Sequence, residues 1–538
     1  MELNIADLIE SVADAIPERE ALVSGKVRLT YAELDRRANR LAHYLHENGV
    51  RAGDHVGMYL FNGHEYVEAL LAAFKIRAVP VNVNYRYVEE ELRYLLGDAD
   101  LKALVFHREF APTVGAVLGS LPELRTLVHV EDGSGAECSG IGSEDYETAL
   151  AGASDARDFP PRSGKDIYII YTGGTTGMPK GVMWRHEDVF YAGLQGGNPG
   201  GEPLERADQV AENAKNNPMA LTFFPAAPFI HGAAQWSALI GLFSGGKIVV
   251  LPGRSFVPEE AARLISDEKI NTITLVGDAM ARPLIEAFEK LGDTIDASSL
   301  IVIGSAGAVL SEAVKEKFRE VLDSVMILDN FGSTEAGHQG TMMAGTGHGT
   351  GEAPRFLMND TNCVFDDDMK PVVAGSGVVG KLARRGHLPV GYYNDPEKTA
   401  RTFVEVDGQR WVIPGDMATV EEDGTICVFG RGSVCINSGG EKIFPEEVEA
   451  ALKAHPEVLD AVVVGIPDPR WGQKVSALVQ PRGESSPDVD ALVEHCRTKV
   501  AGYKVPRHVF LIDHIERHPS GKPDYRWAKE TATEAAGV

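Results

Sequence analysis

A β-branched run, Ile167-Tyr168-Ile169-Ile170, ends in Tyr171-Thr172-Gly173-Gly174-Thr175-Thr176-Gly177-Met178-Pro179-Lys180-Gly181. The run reads as a buried strand. In the segment after it, glycines let backbone N–H groups turn toward a ligand with no Cβ in the way. Threonine hydroxyls add donors, and Lys180 adds a positive charge. That set suits a polyphosphate. On composition alone, a Gly/Thr-rich turn with no ligand stays open. The nucleotide-binding P-loop pattern is excluded, because Pro179 precedes Lys180 and Gly181 follows it.

A strand feeding such a loop belongs in an α/β sheet, and the flanking pattern agrees. Thr30 with Glu33 forms a capping-box signature for a helix running to about Glu47. Strand and helix patterns then alternate at 55–60, 65–76, 78–82, 89–98 and 103–106, which predicts a largely parallel sheet covered by helices. Residues 132–166 read as a connecting loop. Residues 193–218 read as a long insertion of the functional or mobile kind. A second βα series spans 246–328, with strands at 247–251, 272–276 and 300–303. Asp407-Gly408 and Asp423-Gly424 sit inside alternating segments and predict two hairpins. A short α+β unit closes the chain, with helices near 445–454 and 489–500 and strands near 461–465, 475–480 and 508–513.

With 538 residues, two or more domains are expected. A formal net charge of −26 makes nucleic acid and anionic lipid poor partners. Cys138, Cys363, Cys427, Cys435 and Cys496 form no Cys-x-x-Cys pair, which argues against a metal cluster and for a reducing compartment. The first residues lack the pattern of a signal peptide, and no apolar run reaches the ~20 residues of a membrane span. A cytoplasmic location without stable membrane insertion is expected.

The order Thr-Gly-Gly-Thr-Thr-Gly-x-Pro-Lys-Gly resembles the phosphate loop of the adenylate-forming superfamily, with Gly174 where Ser is usual. That superfamily includes acyl-CoA synthetases, luciferases and peptide-synthetase adenylation domains. Further segments, in the same order, carry the likeness over residues ~29 to 526. Asn330-Phe331-Gly332-Ser333-Thr334-Glu335 resembles its aromatic-Gly-x-Thr-Glu segment. The likeness implies an aromatic face for adenine at Phe331 and a Mg²⁺ ligand at Glu335, with Thr176 as a second metal contact. Gly304-Ser305-Ala306 would line the boundary between adenine and acyl group. Asp416 would accept from the ribose hydroxyls, although Ile413-Pro414 replaces the usual Arg-Thr before it.

Gly430 to Ile443 is similar to the start of the superfamily's C-terminal lid. Arg431 would contact ribose or phosphate, Ser433 would be the hinge, and Ser438, Gly439, Gly440 and Lys442 would face CoA. Lys522, in Pro519-Ser520-Gly521-Lys522-Pro523, resembles the mobile catalytic lysine. His231, after Pro228-Phe229-Ile230, would pack beside the substrate carboxylate; a pocket-wall histidine with no further role is the alternative. The acyl pocket is expected to involve His231, Trp236, Asp278, Gly304 and Ala306. No Asp occurs in Pro228–Gly232, which disfavours an amino-acid substrate.

The resemblance implies an α/β fold. A large N-terminal domain, 1–430, would hold two α/β subdomains and an antiparallel β region, and a small mobile α+β domain would span 431–538. It implies an AMP-forming acyl-CoA synthetase using ATP, Mg²⁺ and CoA. Detail in 171–184, 277–283 and 430–442 is similar to actinobacterial ligases of the sterol side-chain type, so the acid is expected to be a long fatty or steroid carboxylate. An adenylase loading a carrier protein and an inactive nucleotide-binding regulator are the alternatives. A homodimer is allowed, and the sequence does not decide it.

Overall fold

The computed structural model describes residues 3–537 apart from 175–176, 219, 309, 323, 344–354, 439–440, 469–470, 484–485, 501 and 519–521. The chain forms two compact units. One comprises Met1–Leu275, Glu286–Ile303 and His387–Arg401; the other comprises Val276–Ile285, Gly304–Gly386 and Thr402–Val538. Residues 430 and 431, where the sequence places a boundary, both lie in the second unit.

In the first unit, an eight-stranded sheet runs in the order Gly391–Tyr392, Gly177–Arg185, Ile167–Gly174, Val79–Asn82, His55–Tyr59, Leu101–His107, Thr126–Val130, Glu144–Asp145. The strands from Ile167–Gly174 to Glu144–Asp145 pair in parallel, as the βα alternation predicts. The end bearing the glycine loop is antiparallel. The described residues on either side of 175–176 therefore form an antiparallel strand pair, with Thr172 opposite Lys180 and Tyr171 opposite Gly181. Strands Thr272–Leu275, Thr222–Pro225, Lys247–Val250, Glu20–Ser24 and Val27–Thr30 lie side by side in a second sheet. The predicted capping box is present: Thr30 and Glu33 exchange hydrogen bonds at the start of helix Tyr31–Glu47.

The 193–218 insertion is more ordered than its Gly/Pro content implies. It contains helix Ala207–Asn216, which buries Ala207, Val210 and Ala214. That apolar stripe at helical spacing packs on the N-terminal helix Ile5–Ala15, where the Ser11 hydroxyl donates to the Ala207 carbonyl. Arg19 donates to the carbonyls of Ala214 and Gly245.

His186 anchors the same N-terminal helix. Its Nδ1 accepts the Ile5 N–H at 3.2 Å, and the ring is 1% exposed. Burial lowers its pKa from 6.5 to about 4. The folded state thus binds fewer protons than the unfolded chain. The stability this ring contributes is complete above pH 6.5 and is lost as pH falls toward about 4. Between pH 6.5 and about 5 the loss is ~2 kcal/mol. We expect the urea midpoint to fall over that range, and His186→Asn to flatten the fall. An unchanged pH dependence in the variant would refute this assignment.

In the second unit, Met326–Ser333 and Gly337–Met343 form an antiparallel hairpin. A seven-stranded sheet holds both Asp-Gly hairpins, Phe403–Val406 with Gln409–Val412 and Asp416–Val420 with Thr425–Arg431. Asp407 and Gly408 both have positive φ, +52° and +72°, as a two-residue turn of this type requires. The C-terminal part is a five-stranded sheet between helices. Along Val458–Asp468, Ala461 and Val463 share a core with helices Pro445–Lys453 and Val489–Arg497. Val462, Val464 and Ile466 share another with Ala528 and Ala532 of helix Tyr525–Ala536, which the sequence reading missed.

Candidate active site

The glycine hairpin and the His231 segment are joined by one side chain. Asn82 ends the parallel strand Val79–Asn82 and is 4% exposed. Its Oδ1 accepts the Tyr171 N–H at 2.7 Å. Its Nδ2 donates to the Tyr171 carbonyl at 2.8 Å and the Ile230 carbonyl at 2.6 Å. The residue before the loop and the residue before His231 are thereby fixed to a common point, at the carboxyl end of a parallel strand where α/β folds place ligands. Sequence reading missed Asn82; a polar residue closing the apolar run Val79-Pro80-Val81 was the available signal. Asn82→Ala removes a side chain that serves three buried backbone groups and should cost about 3 kcal/mol. A thermal shift assay and nucleotide titration would check it: a lower Tm with weaker ATP binding is expected, and an unchanged Tm would refute it.

His231 is the N-cap residue of helix Gly232–Phe243, and its N–H donates to the Pro228 carbonyl. Gln235 supports that turn from the buried face. Its amide donates to the Phe229 carbonyl at 2.6 Å and to the Tyr66 hydroxyl at 3.1 Å, and it accepts from the Tyr168 hydroxyl. Ala233, Trp236, Ser237 and Ile240 make up the partly exposed face of the helix. Trp236 meets Trp184 edge-on at 6.3 Å.

In the hairpin of the second unit, Asn330 accepts from the Thr341 hydroxyl at 3.0 Å, and the Phe331 and Phe356 rings lie 5.1 Å apart. Gly332 cannot be replaced at its present geometry: a Cβ there would lie 2.2 Å from the Gly337 carbonyl oxygen. Thr334 and Glu335 occupy the turn, and Glu335 is 5% exposed. The strand after the turn is pinned through its carbonyls. The Arg384 guanidinium donates to Ala336 and, at 2.8 Å, to His338, while Asn362 donates to Gln339 at 2.7 Å. Burial pulls the Arg384 pKa down to about 10, so it stays charged at neutral pH. Arg384 and Asn362 were also missed, since nothing local marks them.

Asp278 is 9% exposed. Its carboxylate accepts the Ser311 N–H at 2.8 Å and pairs with Arg282 at 3.2 Å. Ser305, between Gly304 and Ala306 on strand Val302–Ala306, accepts the Gly277 N–H at 3.0 Å. Asp278, Gly304 and Ala306 are thus brought together, with the Asp278 carboxylate occupied by protein partners. Asp416, 8% exposed, stands opposite Arg431 in an antiparallel pair.

Ser433 lies in the short turn Gly432–Val434. Ser438 and Lys442 sit on paired strands, Ile436–Ser438 and Glu441–Ile443. Lys522 is exposed, and its carbonyl accepts the His518 N–H at 2.8 Å. Thr175, Thr176, Gly439 and Gly440 lie outside the described residues.

A hard cation on a nucleotide takes one or two carboxylates together with phosphate oxygens, and needs no all-protein cage. Glu335 fits that demand. Among the described residues, no group of three or more His, Cys, Asp or Glu could hold a metal ion by itself.

The first unit's sheet thus carries a Gly/Thr-rich, lysine-bearing edge of the kind that suits a polyphosphate. The chain belongs to the AMP-binding enzyme family, which it matches over residues 9–393, with the family's C-terminal domain matched over 447–522. It is 50% identical over 536 residues to a 3-oxocholest-4-en-26-oate–CoA ligase of Rhodococcus rhodochrous, covering 98% of this chain and 96% of the relative. It is 49% identical to a medium/long-chain-fatty-acid–CoA/3-oxocholest-4-en-26-oate–CoA ligase of Mycolicibacterium smegmatis, covering 99% and 97%. The fold is that of the anthranilate CoA ligase AuaEII in complex with anthranoyl-AMP, with a TM-score of 0.85, 24% identity and coverage of 99% and 98%. ATP-bound MatB from Rhodopseudomonas palustris is also similar, with a TM-score of 0.83, 23% identity and coverage of 99% and 100%.

Proposed function

We propose that the protein is an AMP-forming acyl-CoA synthetase for hydrophobic carboxylic acids, either long-chain fatty acids or steroid side-chain acids. The observation that carries this reading is the match at about half identity, over nearly the whole chain, to two ligases named for such acids.

The acid's carboxylate oxygen attacks the α-phosphorus of ATP, and pyrophosphate leaves. Thr172 to Lys180 cradle the departing β- and γ-phosphates, with the backbone of Gly173, Gly174 and Gly177 supplying donors. Phe331 faces adenine, and Asp416 and Arg431 hold the ribose side. Mg²⁺ would be held by Glu335 and Thr176 and would neutralise phosphate charge when bound. Lys522 bridges the carboxylate and the α-phosphate as charge shifts between them. Residues from 431 onward then turn about Ser433, so that Lys522 withdraws and the Gly440 face enters. The thiol of CoA attacks the acyl carbonyl and AMP leaves. No helix among the described residues is long and apolar enough to cross a membrane. We place the reaction in the cytoplasm.

A panel of short, long-chain and steroid acids, each supplied with Mg·ATP and CoA, tests the proposal. AMP and acyl-CoA should form with the long-chain or steroid acids. Turnover confined to short acids would refute the substrate class. Acyl-AMP that accumulates with CoA present would favour a carrier-protein acceptor.

A further inference from the structure

The glycine hairpin ends in a lysine whose charge is already matched by the protein. Lys180 Nζ lies 3.8 Å from an Asp98 carboxylate oxygen and 3.7 Å from one of Asp395, with the Tyr94 ring centroid 5.5 Å away. These carboxylates come from separate places. Asp98 ends helix Glu89–Asp98, and Asp395 immediately precedes helix Pro396–Thr402. Each is fixed by other bonds. The second Asp98 oxygen accepts from the Tyr171 hydroxyl at 2.9 Å, and its backbone carbonyl accepts from Asn394 at 2.9 Å. Asp395 accepts the Lys398 N–H at 2.9 Å. Tyr393, two residues before Asp395, donates its N–H to the Gly181 carbonyl at 2.8 Å and its hydroxyl to Asp100 at 2.8 Å.

The two acids are therefore rigid, while the lysine between them is held at distances longer than a charge-assisted hydrogen bond. Its side chain is 23% exposed, so solvent and ligand can reach it. Its pKa is raised, first by the Tyr94 hydroxyl and then by Asp98 and Asp395.

We propose that Asp98 and Asp395 form an acidic berth for the Lys180 ammonium, from which the triphosphate withdraws it, so that these two residues set the affinity for ATP. The inference rests on the reading of the hairpin as a triphosphate site. Asp98 and Asp395 are positioning residues, since they act on ATP only through Lys180. Transfer of the ammonium replaces two carboxylate contacts by phosphate contacts, and the cost of leaving the carboxylates is subtracted from binding. When pyrophosphate departs, the berth recaptures the lysine, which favours release of the leaving group.

Asparagine at either position keeps an oxygen that can accept the same hydrogen bond, from Tyr171 or from the Lys398 N–H, while removing the charge. Binding of Mg·α,β-methylene-ATP to the full chain, followed by calorimetry, is the readout. Asp395→Asn and Asp98→Asn should each tighten binding about two- to fivefold, the weight of one partly exposed ion pair. In a Lys180→Met background the same changes should have no effect, and Asp395→Glu should restore weaker binding. Acids with a purely structural role would change Tm and leave the dissociation constant in place, and that result, or weaker binding in both asparagine variants, would overturn the berth. A wild-type protein that binds no analogue at all would overturn the nucleotide reading and the berth with it, which separates the two failures.

Discussion

Lys522→Ala is expected to lower ATP–pyrophosphate exchange by about a hundredfold to a thousandfold, the loss typical of one donor aimed at developing transition-state charge. Conversion of supplied acyl adenylate and CoA to acyl-CoA should remain near the wild-type rate. The asymmetry follows from chemistry. Charge moves between carboxylate and α-phosphate only in the first half-reaction, so only that step needs a compact cation between them. The fold supports a clean test. Lys522 is exposed, and its backbone is placed by the His518 N–H and by the pairing of Arg517 with Pro523. Arg517 is in turn held by Asp460, at 2.6–2.9 Å, on the long strand Val458–Asp468. Truncating an exposed side chain should leave stability within about 0.5 kcal/mol of wild type. Equal loss in both half-reactions would remove Lys522 from the role proposed for it.

Arg384→Met should be the most damaging change away from the reacting atoms. The guanidinium is 7% exposed and serves two carbonyls of the strand that follows Thr334 and Glu335. Methionine fills much of the volume but donates nothing. Losing a charged donor to both carbonyls costs about 3 kcal/mol. Lysine should rescue part of the loss, because both bonds leave the single Nη1 nitrogen and an ammonium can donate to two carbonyls. The expected result is a lower urea midpoint together with a raised Mg²⁺ requirement for pyrophosphate exchange, since the turn that presents Glu335 loses its tether. A variant with wild-type stability and Mg²⁺ dependence would show that Asn362 and the hairpin suffice.

The features legible in the sequence were those whose signal is local. The Thr30–Glu33 box, the Asp407-Gly408 turn and the βα alternation all depend on residues a few positions apart, and each was found where expected. The residue types of the glycine loop suit an anion, but nothing local marks its antiparallel partner strand or the carboxylates of Asp98 and Asp395 beside Lys180. Asn82 and Arg384 were silent because their partners lie 89 and 148, and 48 and 46, residues away. No periodicity marks such a bond. The insertion was misjudged because its loop-forming residues outnumber the three small or branched side chains that bury its helix. The C-terminal helix was missed because it buries only Ala528 and Ala532, although Asp524 as N-cap and Gly537 beyond its end bracket it.

The N-terminal helix Ile5–Ala15 has a further consequence for how the chain is made. Its partners are spread along the chain: Glu10 pairs with Lys75, 65 residues on, whereas Ser11 bonds across 196 residues and Arg19, just beyond the helix, reaches across 195 and 226. At about 5–20 residues per second, a ribosome needs roughly ten to fifty seconds to supply the later ones. During that interval the face that meets helix Ala207–Asn216 waits without its cover. Covering of that face is thus tied to translation of residues 207–245. Shortening or deleting the insertion would leave that early helix exposed, so its effect would appear first in soluble yield and only afterwards in catalysis.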